Sequence, residues 1–113
     1  MFDQTKVLGY RGGNLVLLNR GREAEEVLTT ALNRLEMTRV KHRCTALGDL
    51  ALALALQKEP DEAARKGMEA LEMARQLRHS ESELRVRRVY ARLRRWKDRP
   101  TVRQLGEHLG EAI

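Results

Sequence analysis

Few residue types that carry out chemistry are present in this chain of 113 residues. It has one cysteine, Cys44, and His42 lies two positions before it. Side chains two positions apart on a helix point in different directions, and a zinc site needs about four ligands. We therefore interpret Cys44 as a thiol packed inside the protein, and we expect no metal site.

Signs of catalysis are also missing from the remaining residues. Glu107-His108 lacks the second histidine of the helical zinc protease motif. We find no phosphate-binding loop, dinucleotide-binding fingerprint or nucleophile elbow. Most acidic residues stand where helices are predicted to begin, where the helix dipole favours negative charge. The sequence therefore predicts a protein that is not an enzyme and that needs no cofactor.

Positive charge is concentrated near the C-terminus. The net charge is +6, and residues 85–99 contain eight Lys or Arg against one acid, Asp98. Guanidinium groups bind both phosphates and carboxylates in pairs of hydrogen bonds. This candidate basic patch comprises Arg85, Arg88, Arg92, Arg95 and Arg99. Three interpretations stay open: a solvated helix face, a surface for an acidic protein or a second subunit, and a surface for nucleic acid.

The elements that position these side chains are predicted to be helices. Residues 47–56 are Leu and Ala except for Gly48 and Asp49. The absence of β-branched and aromatic residues favours a helix over a strand. Because this segment is apolar on nearly every side, we expect other helices to cover it.

Apolar periodicity predicts six helices, at about 3–19, 22–37, 39–57, 60–78, 81–97 and 100–111. We predict Thr38 as the N-cap of the third helix, and Ser80 with Glu83 as a capping box for the fifth. Three glycines lie in the first helix, each costing about 1 kcal/mol relative to Ala. We therefore expect the first half of the chain to be less regular.

An internal repeat relates the two halves of residues 3–78. A shift of 39 residues pairs Leu8-Gly9 with Leu47-Gly48, and Ala31-Leu32 with Ala70-Leu71. This spacing predicts a helical hairpin present twice, as repeat one at 3–37 and repeat two at 38–78, followed by capping helices at 80–111. The predicted fold is a single all-α domain, an antiparallel helix-pair solenoid.

The repeated motif resembles the tetratricopeptide repeat. The matching residues are a Leu-Gly pair, an Ala in the second helix and an Ala-Leu pair seven residues later: Leu8, Gly9, Ala24, Ala31 and Leu32, then Leu47, Gly48, Ala63, Ala70 and Leu71. The period is 39 residues where that family has 34. The first helix of each pair is therefore longer by about one turn.

The resemblance implies a concave groove lined by the first helix of each pair. Its polar residues would be Lys6, Tyr10, Asn14, His42, Thr45 and Asp49, which would bind a peptide. The family's clamp for terminal carboxylates requires asparagines where Tyr10 and Ala46 stand, so we do not predict that clamp. An ordinary solvated helix face is the alternative.

More narrowly, the chain is similar to the C-terminal region of actinobacterial helix-turn-helix (XRE-type) transcriptional regulators. The similar segments are 2–4, 8–12, 20–24, 49–51, 61–63, 69–71 and 96–102 with Leu105. This resemblance implies a regulatory module that binds a protein or peptide partner, with a homodimer also open. DNA would be contacted by a separate domain or, alternatively, by the basic helix at residues 85–99. A pure dimerisation domain is the third alternative.

The location is predicted from three absences in the sequence. No apolar run reaches the roughly 18 residues of a membrane span, so we expect no membrane partner. No secretory signal is recognisable at the N-terminus. A single cysteine excludes an internal disulfide, so a cytoplasmic protein is the expectation.

Overall fold

The computed structural model describes residues 4–36 and 38–110, and their side chains from Val7 onward. These residues form six α-helices and one 3₁₀ turn, with no strand among them. The elements are α1 (Gln4–Leu17), α2 (Gly21–Arg34), α3 (Val40–Leu56), α4 (Pro60–Leu77), α5 (Ser80–Leu93), the 3₁₀ turn Arg94–Trp96, and α6 (Pro100–His108). The prediction of an all-α, repeat-like stack of helices is confirmed.

The helices form two layers with α3 in the centre. One layer contains α1, α3 and α5, and the other contains α2, α4 and α6. α3 packs against α1, α2, α4 and α5, and its residues from Ala46 to Ala51 are all buried. The Leu and Ala segment predicted to be covered on several sides is therefore the core of the stack.

The 39-residue period is visible in the backbone of two turns. Asn19 and Lys58 both adopt left-handed backbone angles, with φ of 59° and 61°. In each turn the N–H of the following residue donates a hydrogen bond to the carbonyl oxygen five residues earlier. Arg20 donates to Leu15 (2.9 Å), and Glu59 donates to Leu54 (3.0 Å). Asn19 therefore lies in the turn that follows α1, whereas the first helix was predicted to continue to residue 19.

Two predicted helix caps are wrong. Thr38 does not cap α3, because the carbonyl of Arg39 accepts the first helical bond, from Arg43 (3.0 Å). His79, rather than Ser80, caps α5, since its Nδ1 accepts the N–H of Ser82 at 3.3 Å. The predicted end of the second helix at Met37 lies outside the described residues, and α2 ends at Arg34.

The last helix is attached to α4 by polar contacts as well as by apolar packing. Asp61 accepts hydrogen bonds from the Thr101 hydroxyl (2.6 Å) and from Arg99 (2.9 Å). The Thr101 hydrogen bond, and after it the positive charge of Arg99, hold the pKa of Asp61 below its usual value. Leu105 is buried against Gly67 of α4, so α6 covers the outer face of that helix.

No helix within residues 4–36 and 38–110 has the length and apolar character needed to cross a membrane.

Candidate functional site

The three helices α1, α3 and α5 lie side by side and enclose a groove of about 920 Å³. We call it the inner groove. Its lining residues include Tyr10, Asn14 and Leu17 of α1; Lys41, His42, Thr45, Asp49, Leu52 and Leu56 of α3; and Arg85, Arg88 and Arg92 of α5.

The structure brings most of the sequence-predicted site residues to this one surface. The inner groove contains five of the six predicted peptide-binding residues: Tyr10, Asn14, His42, Thr45 and Asp49. The sixth, Lys6, has a side chain outside the described residues. The predicted peptide-binding residues and part of the predicted basic patch therefore line the same groove.

The five arginines of the basic patch are divided between different places. Arg85, Arg88 and Arg92 line the inner groove. Arg95 is not among its lining residues, and its guanidinium lies 4.1 Å from the ring centre of Trp96. Arg99 pairs with Asp61 at 2.9 Å, where α6 begins.

A partly buried ion pair joins α3 to α5 inside the inner groove. The Nε of Arg85 lies 3.2 Å from Oδ1 of Asp49, and their side chains are only 25% and 11% exposed. Gly13 leaves room for the carboxylate, since a Cβ there would lie 3.3 Å from its Oδ2. Burial raises the pKa of Asp49, and the charge and hydrogen bond of Arg85 lower it by less.

The remaining positive charges of the inner groove have no such partner. Arg88, Arg92 and Lys41 are exposed, and none of them forms an ion pair with another of the described residues. Asp49, the single acid among the described residues that line the groove, is already paired with Arg85. The inner groove therefore carries an excess of positive charge.

Large apolar side chains stand open to solvent in the same place. Leu17 is 82% exposed and Tyr10 63% exposed, and Leu52 and Leu56 are half-buried. Exposed apolar side chains grouped in a concave surface are typical of binding sites. The inner groove therefore combines an apolar surface with hydrogen-bonding and cationic groups.

Sequence reasoning missed Leu17, Leu56 and Lys41 and did not place the arginines in the groove. The repeat contained the signal. Tyr10, Asp49 and Arg88 are spaced 39 residues apart, and so are Leu17 and Leu56. Extending the period to a third helix would have predicted that α5 lines the groove beside α1 and α3.

Cys44 occupies a different environment from the groove. Its thiol is fully buried, with Sγ 3.4 Å from the carbonyl oxygen of Ala70. Burial raises the pKa of this thiol, against a smaller lowering by the Ser82 hydroxyl. These contacts support the interpretation as a packed thiol. Among the residues that the structure describes, no three His, Cys, Asp or Glu are grouped to hold a metal ion.

In comparisons with known proteins, no protein-family model, no curated protein and no solved structure matches this chain. The resemblances to tetratricopeptide repeats and to the C-terminal region of XRE-type regulators therefore stay predictions. We infer the function from the inner groove itself.

Proposed function

We propose that this chain is a non-enzymatic binding module that holds a peptide segment of a partner protein in the inner groove. One observation carries the proposal: an open groove of about 920 Å³ in which exposed apolar side chains stand beside Arg88 and Arg92, which form no ion pair with another described residue. Ligand sites generally combine an apolar surface with a few polar groups that orient the ligand.

The polar side chains of the groove suit a peptide backbone. Asn14, His42 and Thr45 can each donate and accept hydrogen bonds, as the N–H and C=O groups of an extended peptide require. Leu17 and Tyr10 offer apolar surface for the peptide's side chains. A small polar metabolite would leave that apolar surface uncovered.

We propose further that the module is the regulatory part of a cytoplasmic bacterial transcription factor. The support is the sequence resemblance to the C-terminal region of XRE-type regulators. A peptide in the inner groove would contact α1, α3 and α5 at once, and would favour the arrangement of these helices that it binds best. A DNA-binding domain elsewhere in the protein would respond to that arrangement.

The test is selection of peptide ligands by the whole chain, followed by titration calorimetry. We expect Tyr10→Ala combined with Leu17→Ala to weaken the selected peptides about tenfold or more, since their apolar contact is lost. The matched control is Leu84→Ala, an exposed leucine (55%) of α5 that does not line the groove. Failure to select any peptide, or equal binding by the double variant, would contradict the proposal.

Nucleic-acid binding and pure dimerisation are the alternatives from the sequence. Of the five patch arginines, Arg99 is already paired with Asp61, and Arg95 lies over Trp96. This division leaves fewer of the patch arginines available to a nucleic acid than the sequence indicates. A gel shift at low salt tests the first alternative, and sedimentation tests the second.

A further inference from the structure

We infer that the peptide held in the inner groove is acidic and aliphatic: two of its carboxylates pair with Arg88 and Arg92, and a leucine-like side chain covers Leu17. This inference rests on the proposed function, because it names the chemistry of the ligand for the same groove.

The inner groove has more positive than negative side chains. Within residues 4–36 and 38–110, the groove is lined by four cationic residues, Lys41, Arg85, Arg88 and Arg92, and by one acid, Asp49. Elsewhere several arginines have carboxylate partners, among them Arg20 with Glu23 and Arg75 with Glu83. Among the described residues of the groove only Arg85 has one, so an acidic ligand would complement the charge of the others.

The two exposed arginines of the groove are spaced to suit an extended peptide. Arg88 and Arg92 stand four residues apart on α5, which corresponds to a rise of about 6 Å along the helix. Side chains at positions i and i+2 of an extended peptide are separated by about 6.6 Å. Two acids in that pattern can therefore meet both guanidinium groups, each of which binds a carboxylate through paired hydrogen bonds.

The same groove also presents an apolar surface made of leucines. Leu17, Leu52 and Leu56 come from the last turns of α1 and α3. Covering a leucine as exposed as Leu17 removes apolar surface from water, which stabilises a complex. A nucleic acid backbone would pair with the arginines and leave these leucines uncovered, so the two features together favour a peptide.

The experiment uses three matched libraries of synthetic peptides, about ten residues long, displayed to the whole chain at low and moderate salt. Each library fixes Glu, Gln or Lys at two positions i and i+2 and varies the other positions. We expect the Glu library to be retained about tenfold more than the Gln library, with the difference shrinking as salt rises. The Lys library should not be retained.

Charge reversal makes the test specific to the groove. Arg88→Glu combined with Arg92→Glu should lose the Glu library and retain the Lys library. The control is Arg22→Glu combined with Arg94→Glu, which changes the net charge equally at exposed positions outside the groove lining. It should behave as the unchanged protein does.

The outcomes separate the two proposals. Equal retention of the Glu and Gln libraries would overturn the acidic ligand and leave peptide binding in place. Retention of no library, including a fully random one, would overturn peptide binding itself. Displacement of the Glu library by duplex DNA at equal phosphate and carboxylate concentrations would assign the arginines to nucleic acid. A dimer that the double groove variant abolishes would assign them to a second copy.

Discussion

The carboxylate of Asp49 is a buried charge held by one arginine. Burial raises the pKa of Asp49, which means that the folded protein binds this proton more tightly than the unfolded chain does. Binding of this proton stabilises the folded state fully at pH values below the pKa that Asp49 has in the unfolded chain. This stabilisation is lost as the pH rises through the higher pKa that Asp49 has in the folded protein. Near neutral pH the buried carboxylate of Asp49 is therefore stabilised by its ion pair with Arg85.

We predict that Arg85→Met destabilises the protein by about 1–3 kcal/mol at pH 7, because Asp49 loses its partner while remaining buried. The loss should be smaller in acidic buffer than at pH 7, because a protonated Asp49 no longer carries a buried charge without a partner. Urea unfolding at both pH values measures it. Arg88→Met is the control, since Arg88 is exposed and has no described ion-pair partner, and it should change stability by less than about 0.5 kcal/mol. An equal loss at both pH values would argue against this account.

We also predict that Cys44 resists alkylation. The thiolate is the reactive form, and both the burial and the raised pKa of this thiol keep it scarce and inaccessible. Labelling by iodoacetamide near pH 8 should be about a hundredfold slower than for a cysteine in a short peptide, and urea should accelerate it. Labelling at the peptide's rate in the absence of urea would contradict the buried position.

At the scale of elements, glycine determines how closely α2 approaches α3. A Cβ at Gly21 would lie 2.8 Å from the backbone oxygen of Ala53, which cannot move aside as a side chain can. We predict that Gly21→Ala costs about 1–3 kcal/mol. Gly9 of α1 has no neighbour within 4 Å of such a Cβ, so Gly9→Ala should stabilise by about 0.5–1 kcal/mol. Thermal and urea unfolding compare the two variants, and the same sign for both would contradict the described packing.

The turn between α3 and α4 stores a small amount of backbone strain. Lys58 adopts a φ of 61°, a conformation that costs a non-glycine residue about 1 kcal/mol. We predict that Lys58→Gly raises the free energy of unfolding by about 0.5–1 kcal/mol. Lys97→Gly is the control, because Lys97 has a φ of −59° and glycine gives no relief there. Unfolding by urea should show opposite signs for the two variants; a loss with Lys58→Gly would refute the proposed strain.

The attachment of α6 should depend on pH in the opposite sense to Asp49. The pKa of Asp61 is lowered, so its contribution is present above the unfolded value and is lost as the pH falls through the folded pKa. We predict that Asp61→Asn increases amide exchange within α6 near pH 7, and that the difference between variant and unchanged protein diminishes near pH 3. Asp98→Asn is a control on the preceding turn. Unchanged exchange in α6 would show that apolar packing alone attaches it.

At the scale of the whole molecule, the stack of hairpins could be predicted from the sequence because small residues recur at a fixed spacing. Ala31 and Ala70 are both fully buried, as their repeated positions require. The cap at His79 could not be predicted, because an imidazole nitrogen is not among the preferred N-cap acceptors. It depends on the ring reaching Ser82 after the chain has folded.

The composition of the groove was only partly predictable. The residues of α1 and α3 followed from the repeat resemblance, but the arginines of α5 were assigned to a separate surface. Their place beside Asp49 depends on the burial of Val86, Val89 and Leu93, which fixes the rotation of α5 against the core. Periodicity predicts which face of a helix is buried, and it does not say which neighbour that face meets.

The helices on the two outer sides of the groove, α1 and α5, differ in the number of helices that pack against them. α5 packs against α3, α4 and α6, whereas α1 packs against α2 and α3 and contains three glycines. If a peptide binds in the groove as we propose, we expect it to displace α1 more than α5, since fewer helices hold α1 in place. On our proposal, the arginines would bind the ligand on the helix that packs against more elements, and the movement that follows would occur mainly in α1.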